Sequence, residues 1–266
     1  MRIASLHRYP IKGCRGEDLD AAVLDRLGVE GDRRLMLVDA EDRFLSQREV
    51  PQLATLVPRL DGDTLRVAVD GDAAATFGLD RSGPARSVTI WSDVVTAHDQ
   101  GDDAAAWFSD VLSLPCRLVA FGSQSRRTLD PRWTPRADAE TAFTDGYPLL
   151  VVTEASCEAL NGRLRDPVPM DRFRPNVVVA GAEPWAEDGW REIRIGNMTL
   201  DLVKPCARCP VPTTDQRTGA RHPTQEPLRT LARDRTIPGL GAIFGQNAVP
   251  RGPGMLVVGD EVVVGP

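Results

Sequence analysis

Lys204-Pro-Cys-Ala-Arg-Cys-Pro-Val-Pro-Thr-Thr-Asp-Gln-Arg-Thr-Gly-Ala-Arg221 carries two of the chain's five cysteines and three of its prolines. An apolar, strand-like run at 198–203 leads into it. Proline fixes φ and removes a backbone donor, so Cys206 and Cys209 are expected on a pre-set loop rather than in a helix. Lys204 and Arg208 place cations beside both thiols. Nearby cations lower a thiol pKa, and the thiolate is the form that binds metals and attacks electrophiles. The stretch therefore reads as a loop that presents a sulfur ligand to a cofactor.

The rest of the chain bounds what that cofactor site belongs to. With 266 residues it has room for one large or two modest domains. A net charge of −6 argues against a general nucleic-acid binder, and 5% aromatic residues against a base-stacking platform. Five cysteines is an odd number, and a chain of this length needs no disulfide framework, so reduced thiols in the cytoplasm are expected. The N-terminus has no apolar signal core, and no apolar run reaches membrane-span length. There are 30 Arg but only two Lys, Lys12 and Lys204.

In chain order, strands are expected at 3–8, 35–38, 43–47, 64–69, 87–91 and 94–98, with Asp70-Gly71-Asp72 as a hairpin turn. Residues 102–112 form a helix that Asp102 or Asp103 could cap. A strand follows at 116–121. Residues 122–138 carry four arginines without periodicity and read as a connection, a loop over the site or a surface loop. A strand at 149–152 leads to a helix capped by Thr153. Further strands fall at 176–181, 190–195, 198–203, 255–258 and 261–264, with a short helix at 227–234. The class is mainly β (α+β), with short strands at close spacing suggesting barrels or sandwiches.

Three chemistries compete for Cys206-x-x-Cys209. Structural zinc would use His222, twelve residues after Cys209, but Glu226 is then the nearest fourth ligand. A redox dithiol is opposed by Pro210 and Pro212, which prevent an immediate helix. A single thiolate on a soft metal cofactor would suit an anionic tail: residues 204–251 hold eight Lys/Arg against three Asp/Glu.

Several motifs taken together point to one family: Tyr9-Pro-Ile-Lys-Gly-Cys14, Asp32-Arg-Arg-Leu-Met-Leu-Val38, Asp145-Gly-Tyr-Pro148, Phe173-Arg-Pro-Asn176, Pro205-Cys-Ala-Arg-Cys209 with Thr213-Thr-Asp215, and Phe244-Gly-Gln246. The chain resembles the two-part MOSC-domain proteins, most of all the mitochondrial amidoxime-reducing components and their bacterial relatives. That resemblance implies a MOSC N-terminal β-barrel-like domain over 1–121 and a MOSC β-barrel domain with a few short helices over 122–266. It implies the molybdenum cofactor (Mo-molybdopterin) with Cys209 as the catalytic metal ligand and Cys206 not a ligand. Lys12, Gly13, Arg34, Asp145, Gly146, Tyr147, Arg174, Ala207, Arg208 and Asn247 would bind the cofactor. The implied activity is reduction of a small N-hydroxylated substrate, such as an amidoxime or hydroxylamine. Electrons would come from a separate donor protein of ferredoxin or cytochrome b5-like reductase type. The alternative is a sulfur-carrier or sulfur-transfer module using a cysteine persulfide. A pyridoxal phosphate label is also compatible with such a family. Gly13 stands where relatives can carry serine, Asn247 where they can carry tyrosine, and Pro-Val-Pro212 where they are more apolar, which bears on substrate range. Neither a membrane anchor nor a C-terminal ferredoxin domain is expected.

Overall fold

The computed structural model describes residues 1–69, 74–134, 136 and 138–265; the turn expected at Asp70-Gly71-Asp72 lies outside them. The chain is mainly β. Its first half runs β1 (Arg2–Arg8), β2 (Glu17–Leu19), β3 (Ala21–Asp25), β4 (Gly28–Val29), β5 (Leu35–Val38), β6 (Leu56–Asp61), β7 (Thr64–Val69), β8 (Ala75–Gly78), β9 (Ala85–Ile90), β10 (Asp93–Asp99), α1 (Asp102–Leu112) and β11 (Arg117–Ala120). Its second half adds β12 (Leu149–Thr153), α2 (Glu154–Asn161), β13 (Val177–Ala180), β14 (Glu192–Ile195), β15 (Met198–Ala207), α3 (Leu228–Asp234), β16 (Thr236–Ile237), β17 (Gly241–Pro250), β18 (Gly254–Val257) and β19 (Val262–Val264).

The large sheet has the order β19-β14-β15-β17-β12-β13-β1-β2, with β16 on β17. Three smaller sheets are β5-β11-β10-β9, β18-β3-β4 and β6-β7-β8. All four residues of β13, Val-Val-Val-Ala, are buried. A buried strand must pair its backbone on both sides, and β13 does so with parallel β12 and antiparallel β1. Ile3 and Leu6 accordingly share a core with Val151, Val177, Ile193 and Leu200. The spans 1–121 and 122–266 therefore do not divide the sheets. Strands β1 and β2 are built into the sheet of the second half, and β3 pairs with β18.

Strand β17 is the element the sequence conceals. Gly245, Gln246 and Asn247 interrupt its apolar pattern, yet it is buried almost throughout. Gly245 has φ +76, and a Cβ there would lie 2.7 Å from Val152 Cγ2 and 2.9 Å from the Val151 carbonyl oxygen. Only glycine lets β17 cross β12 so closely. On its other side β17 pairs with β15 from Leu200↔Pro250 to Ala207↔Ile243, with register shifts at Leu202/Lys204 and Pro205/Ala207. Pro205 is tolerated inside the ladder because it sits at such an irregularity. Cys206 is thus on a strand, which corrects the expectation of a loop. Only Cys209 lies beyond it, before the 3-10 turn Val211–Thr213.

Helix α1 begins after Gly101 with no side-chain cap. Asp102 and Asp103 lie inside its first turn instead, where the helix dipole favours them. Thr153 caps α2 as expected, its hydroxyl accepting from Ser156 N at 3.1 Å. Among the described residues no helix is long and apolar enough to cross a membrane.

Phe244 of β17 is fully buried and stacks on Phe173 with centroids 3.9 Å apart. Phe244→Ala should therefore reduce unfolding free energy by about 3–5 kcal/mol in urea denaturation. A loss of less than about 1 kcal/mol would contradict this packing.

Candidate functional site

Both halves contribute walls to one cleft. From the turn after β1 come Lys12 and Gly13, and from the turn before β5 comes Arg33. Residues 144–147, Arg174 and Asn176 form a second wall; Lys204 to Cys209 on β15 and its exit, with Asn247 of β17, form the third. Of the residues expected to bind a cofactor, Lys12, Gly13, Asp145, Gly146, Tyr147, Arg174, Ala207, Arg208, Cys209 and Asn247 all line this cleft. Arg34 does not. It binds both carboxylate oxygens of Asp25 (2.7 and 2.9 Å) and lines a separate depression with Arg81 and Phe121. Its neighbour Arg33 takes the place expected for it. Arg33 precedes β5 at φ +45, so strand alternation gave no guide to which arginine faces inward.

The cleft is strongly cationic. Lys12, Arg33, Arg48, Arg174, Lys204 and Arg208 line it, against one carboxylate, Asp145. Lys12 Nζ donates to Asp145 Oδ1 at 2.5 Å. Burial pushes the Lys12 ammonium below its ordinary pKa, and Asp145 opposes that shift. Withdrawal from bulk water would raise Asp145, but the charge of Lys12 and its hydrogen bond hold the carboxyl well below the usual range. The Asp145 side chain is 67% exposed to the open side of the cleft. The pair is therefore a wall of the cleft rather than a sealed ion pair.

Burial lowers the pKa of Arg174, and the charge of Arg33 adds to the effect. Arg174 Nη1 donates to Gln216 Oε1 at 3.2 Å, while its Nη2 is buried with no partner. Arg208 donates from Nη1 to Cys206 Sγ (3.0 Å) and from Nη2 to the Phe173 carbonyl (2.9 Å), leaving its buried Nε unpartnered. The cation beside the thiols thus sits on Cys206. Cys209 is half-buried on the cleft wall.

Other parts of the site escaped sequence reading. Gln47 Nε2 donates to the Gly13 carbonyl (2.5 Å) and pairs reciprocally with the Gln216 amide (3.0 and 3.1 Å). Asn176 Oδ1 accepts from Leu150 N (3.1 Å) and Arg33 Nη1 (3.2 Å). Trp91, at φ +54 in the β9–β10 turn, carries Arg48 over its ring at 4.3 Å. Gln47, Asn176 and Trp91 sit in turns or bends from distant parts of the chain; Asn176 closes the Phe173–Asn176 motif, but no local pattern marks Gln47 or Trp91. Arg127, in the arginine-rich 122–138 segment, is buried. It donates to Asp93 Oδ2 (2.7 Å) and the Thr144 carbonyl (2.6 Å), fixing the Asp145 loop. Most of the positive charge after Lys204 lies elsewhere: Arg235 pairs with Asp188 and Arg251 with Glu192 and Asp201.

The remaining thiols are buried, and burial lifts Cys14 to about 12 and Cys157 to about 11. Among the described residues no three His, Cys, Asp or Glu side chains converge on a metal position, so the structural-zinc reading of Cys206, Cys209 and His222 finds no ligand set.

Residues 1–115 match the MOSC N-terminal beta barrel domain, and residues 138–263 match the MOSC domain. The chain is 32% identical to mitochondrial amidoxime-reducing component 1 of Mus musculus over 98% of its own length and 81% of the relative. Against mitochondrial amidoxime-reducing component 1 of Homo sapiens it is 31% identical, over 98% and 82%. The chain belongs to the MOSC-domain family. As a MOSC protein it is also 30% identical to molybdenum cofactor sulfurase of Danio rerio, over 88% of its length but only 30% of that larger relative. The cleft of this MOSC protein lies where the stretches matched by the two domain families meet.

Removing the carboxylate with Asp145→Asn leaves Lys12 buried and unpaired, which costs stability near neutral pH. The folded-state pKa of Asp145 is depressed, so its contribution is complete above the unfolded-state value and is lost as pH falls through the folded one. The stability gap between wild type and Asp145→Asn should narrow as pH drops below about 4. Equal gaps at about pH 7 and about pH 2 in denaturation experiments would refute the pairing.

Proposed function

We propose that this MOSC protein is an oxidoreductase that holds the molybdenum cofactor in its cleft and reduces N-hydroxylated compounds such as amidoximes and hydroxylamines. The observation that carries the reading is the pairing of a half-buried cysteine, Cys209, with unpartnered buried guanidinium nitrogens on Arg174 and Arg208 in the same cleft. Buried donors without partners are costly, and an anionic ligand would satisfy them. The donor set therefore fits a phosphorylated pterin with a soft metal. A thiolate suits such a metal, and guanidinium suits phosphate. The relatives named amidoxime-reducing component support the reaction class.

In this reading Lys12, Arg33 and Arg174 would hold the anionic end, and Cys209 would ligate the metal. Asn247 lies opposite Lys204 in the β15–β17 ladder and borders the sulfur side of the cleft. When bound, the cofactor supplies a two-electron redox centre, chemistry that the side chains lack. Overall, an N–O bond breaks, two electrons and two protons enter, and water leaves with the reduced nitrogen compound. The electrons come from a separate protein donor of ferredoxin or cytochrome b5 type. Trp91, 38% exposed at the cleft and with Arg48 over its ring, would border the path of the incoming substrate. No relative named above points to pyridoxal phosphate.

A sulfur-transfer role has one observation in its favour: Arg208 donates to Cys206 Sγ, a contact that would stabilise a persulfide anion. Purification from a host that makes the cofactor separates the two readings. The oxidoreductase reading expects molybdenum and pterin in wild type, loss of most metal in Cys209→Ser, and reduction of benzamidoxime with an artificial donor. Equal molybdenum in both proteins would reject the ligand assignment. A cysteine carrying one extra sulfur by mass spectrometry, with no amidoxime reduction, would favour sulfur transfer.

A further inference from the structure

Tyr9 forms no part of the cleft lining, yet it underlies the cationic end. Its side chain is 3% exposed. The guanidinium carbons of Arg33 and Arg174 both lie over its ring, 4.2 and 4.3 Å from the centroid. The ring is fixed from three directions. Tyr9 N donates to Asp32 Oδ1 (2.8 Å), Arg33 N donates to the Tyr9 carbonyl (2.7 Å), and the phenol donates to the Pro175 carbonyl (3.0 Å). Its edge rests on bare backbone, since a Cβ at Gly16 would come within 2.5 Å of Tyr9 Cε1.

This arrangement answers an electrostatic problem. Two guanidiniums are buried close together, and like charges out of water repel. Asp32 Oδ2 offsets Arg33 directly at 2.7 Å. Among the described residues Arg174 pairs with no carboxylate, and its one side-chain hydrogen bond goes to the neutral Gln216 amide. Asp32 and Asp171 act on Arg174 through their charge without a described hydrogen bond to it, and the negative face of the Tyr9 ring is the compensation in direct contact. We propose that Tyr9 is a positioning residue for anion binding, its π face holding Arg33 and Arg174 together so that a phosphate group meets two fixed cations. The inference deepens the cofactor reading above and rests on it only for the identity of the natural anion.

The test uses full-length protein made in a host without the cofactor, titrated calorimetrically with inorganic phosphate. Wild type should bind phosphate, and Arg174→Gln should abolish that binding. Tyr9→Phe keeps the ring and should bind within about twofold of wild type. A ring-trifluorinated phenylalanine at position 9 keeps the size but removes the negative face. It should stay folded, melt a few degrees below Tyr9→Phe because the buried guanidiniums lose that compensation, and bind phosphate about tenfold more weakly. Tyr9→Leu, if folded, should follow the fluorinated protein. Equal affinity in the plain and fluorinated proteins would overturn the proposal, as would phosphate binding undetectable in wild type. A molybdenum-free protein from a cofactor-producing host, with the phosphate series intact, would sink the cofactor reading and leave this one standing.

Discussion

The N–H of His7 donates to the Asn176 carbonyl at 2.9 Å, and the Asn176 side-chain amide returns a bond to the His7 carbonyl at 3.2 Å. That exchange stitches the end of β1 to the start of β13. The cleft depends on it. Tyr9, Lys12 and Gly13 follow directly from β1, while Phe173, Arg174 and Asn176 precede β13. Were β1 paired within its own half of the chain, the lysine and the arginines would lie on different bodies. Asn176 is 1% exposed and ties its side chain to Leu150 N, Arg33 and His7. Buried polar networks of this kind specify one arrangement because every alternative leaves a group unpaired.

A second constraint acts on the sulfur side. The β15–β17 ladder carries two irregularities, and they fall where the chain turns toward the cleft. A regular strand alternates its side chains between two faces. The irregularities at Lys204 and Pro205–Ala207 break that alternation, and Lys204, Pro205, Cys206, Ala207, Arg208 and Cys209 all reach the same cavity. The proline before Cys206 is therefore part of how the sulfur wall is built. Gly245, by allowing β12 and β17 to approach, sets where that wall stands.

Much of this was legible in the sequence, and the limits have physical causes. A buried apolar run gave β5, short strand-like runs gave β7, β9 and β10, and helix α1 was read to its ends. Strand β17 was hidden because its burial on both faces erases alternation, and its glycine and amides look like loop residues. Lys12, Asp145, Arg174 and Cys209 were picked out because they match motif positions of the family the chain resembles, and the structure brings all four to one cleft. Arg33 lines the cleft where Arg34 was expected: the two are adjacent, Arg34 buried and Arg33 half-buried, and only tertiary contacts tell them apart. Gln47 and Trp91 act through partners more than 25 residues away, beyond the reach of any local pattern.

The site that results is a cationic cleft joined to a thiol. Its cations come from both halves of the chain, and its sulfur comes from one. Crystals of the protein purified from a cofactor-producing host, measured across the molybdenum absorption edge, test this most directly. The account predicts one anomalous peak bonded to the Cys209 sulfur, with a phosphate group against Arg33 and Arg174. A peak bonded to Cys206, or a phosphate held outside this cleft, would contradict it.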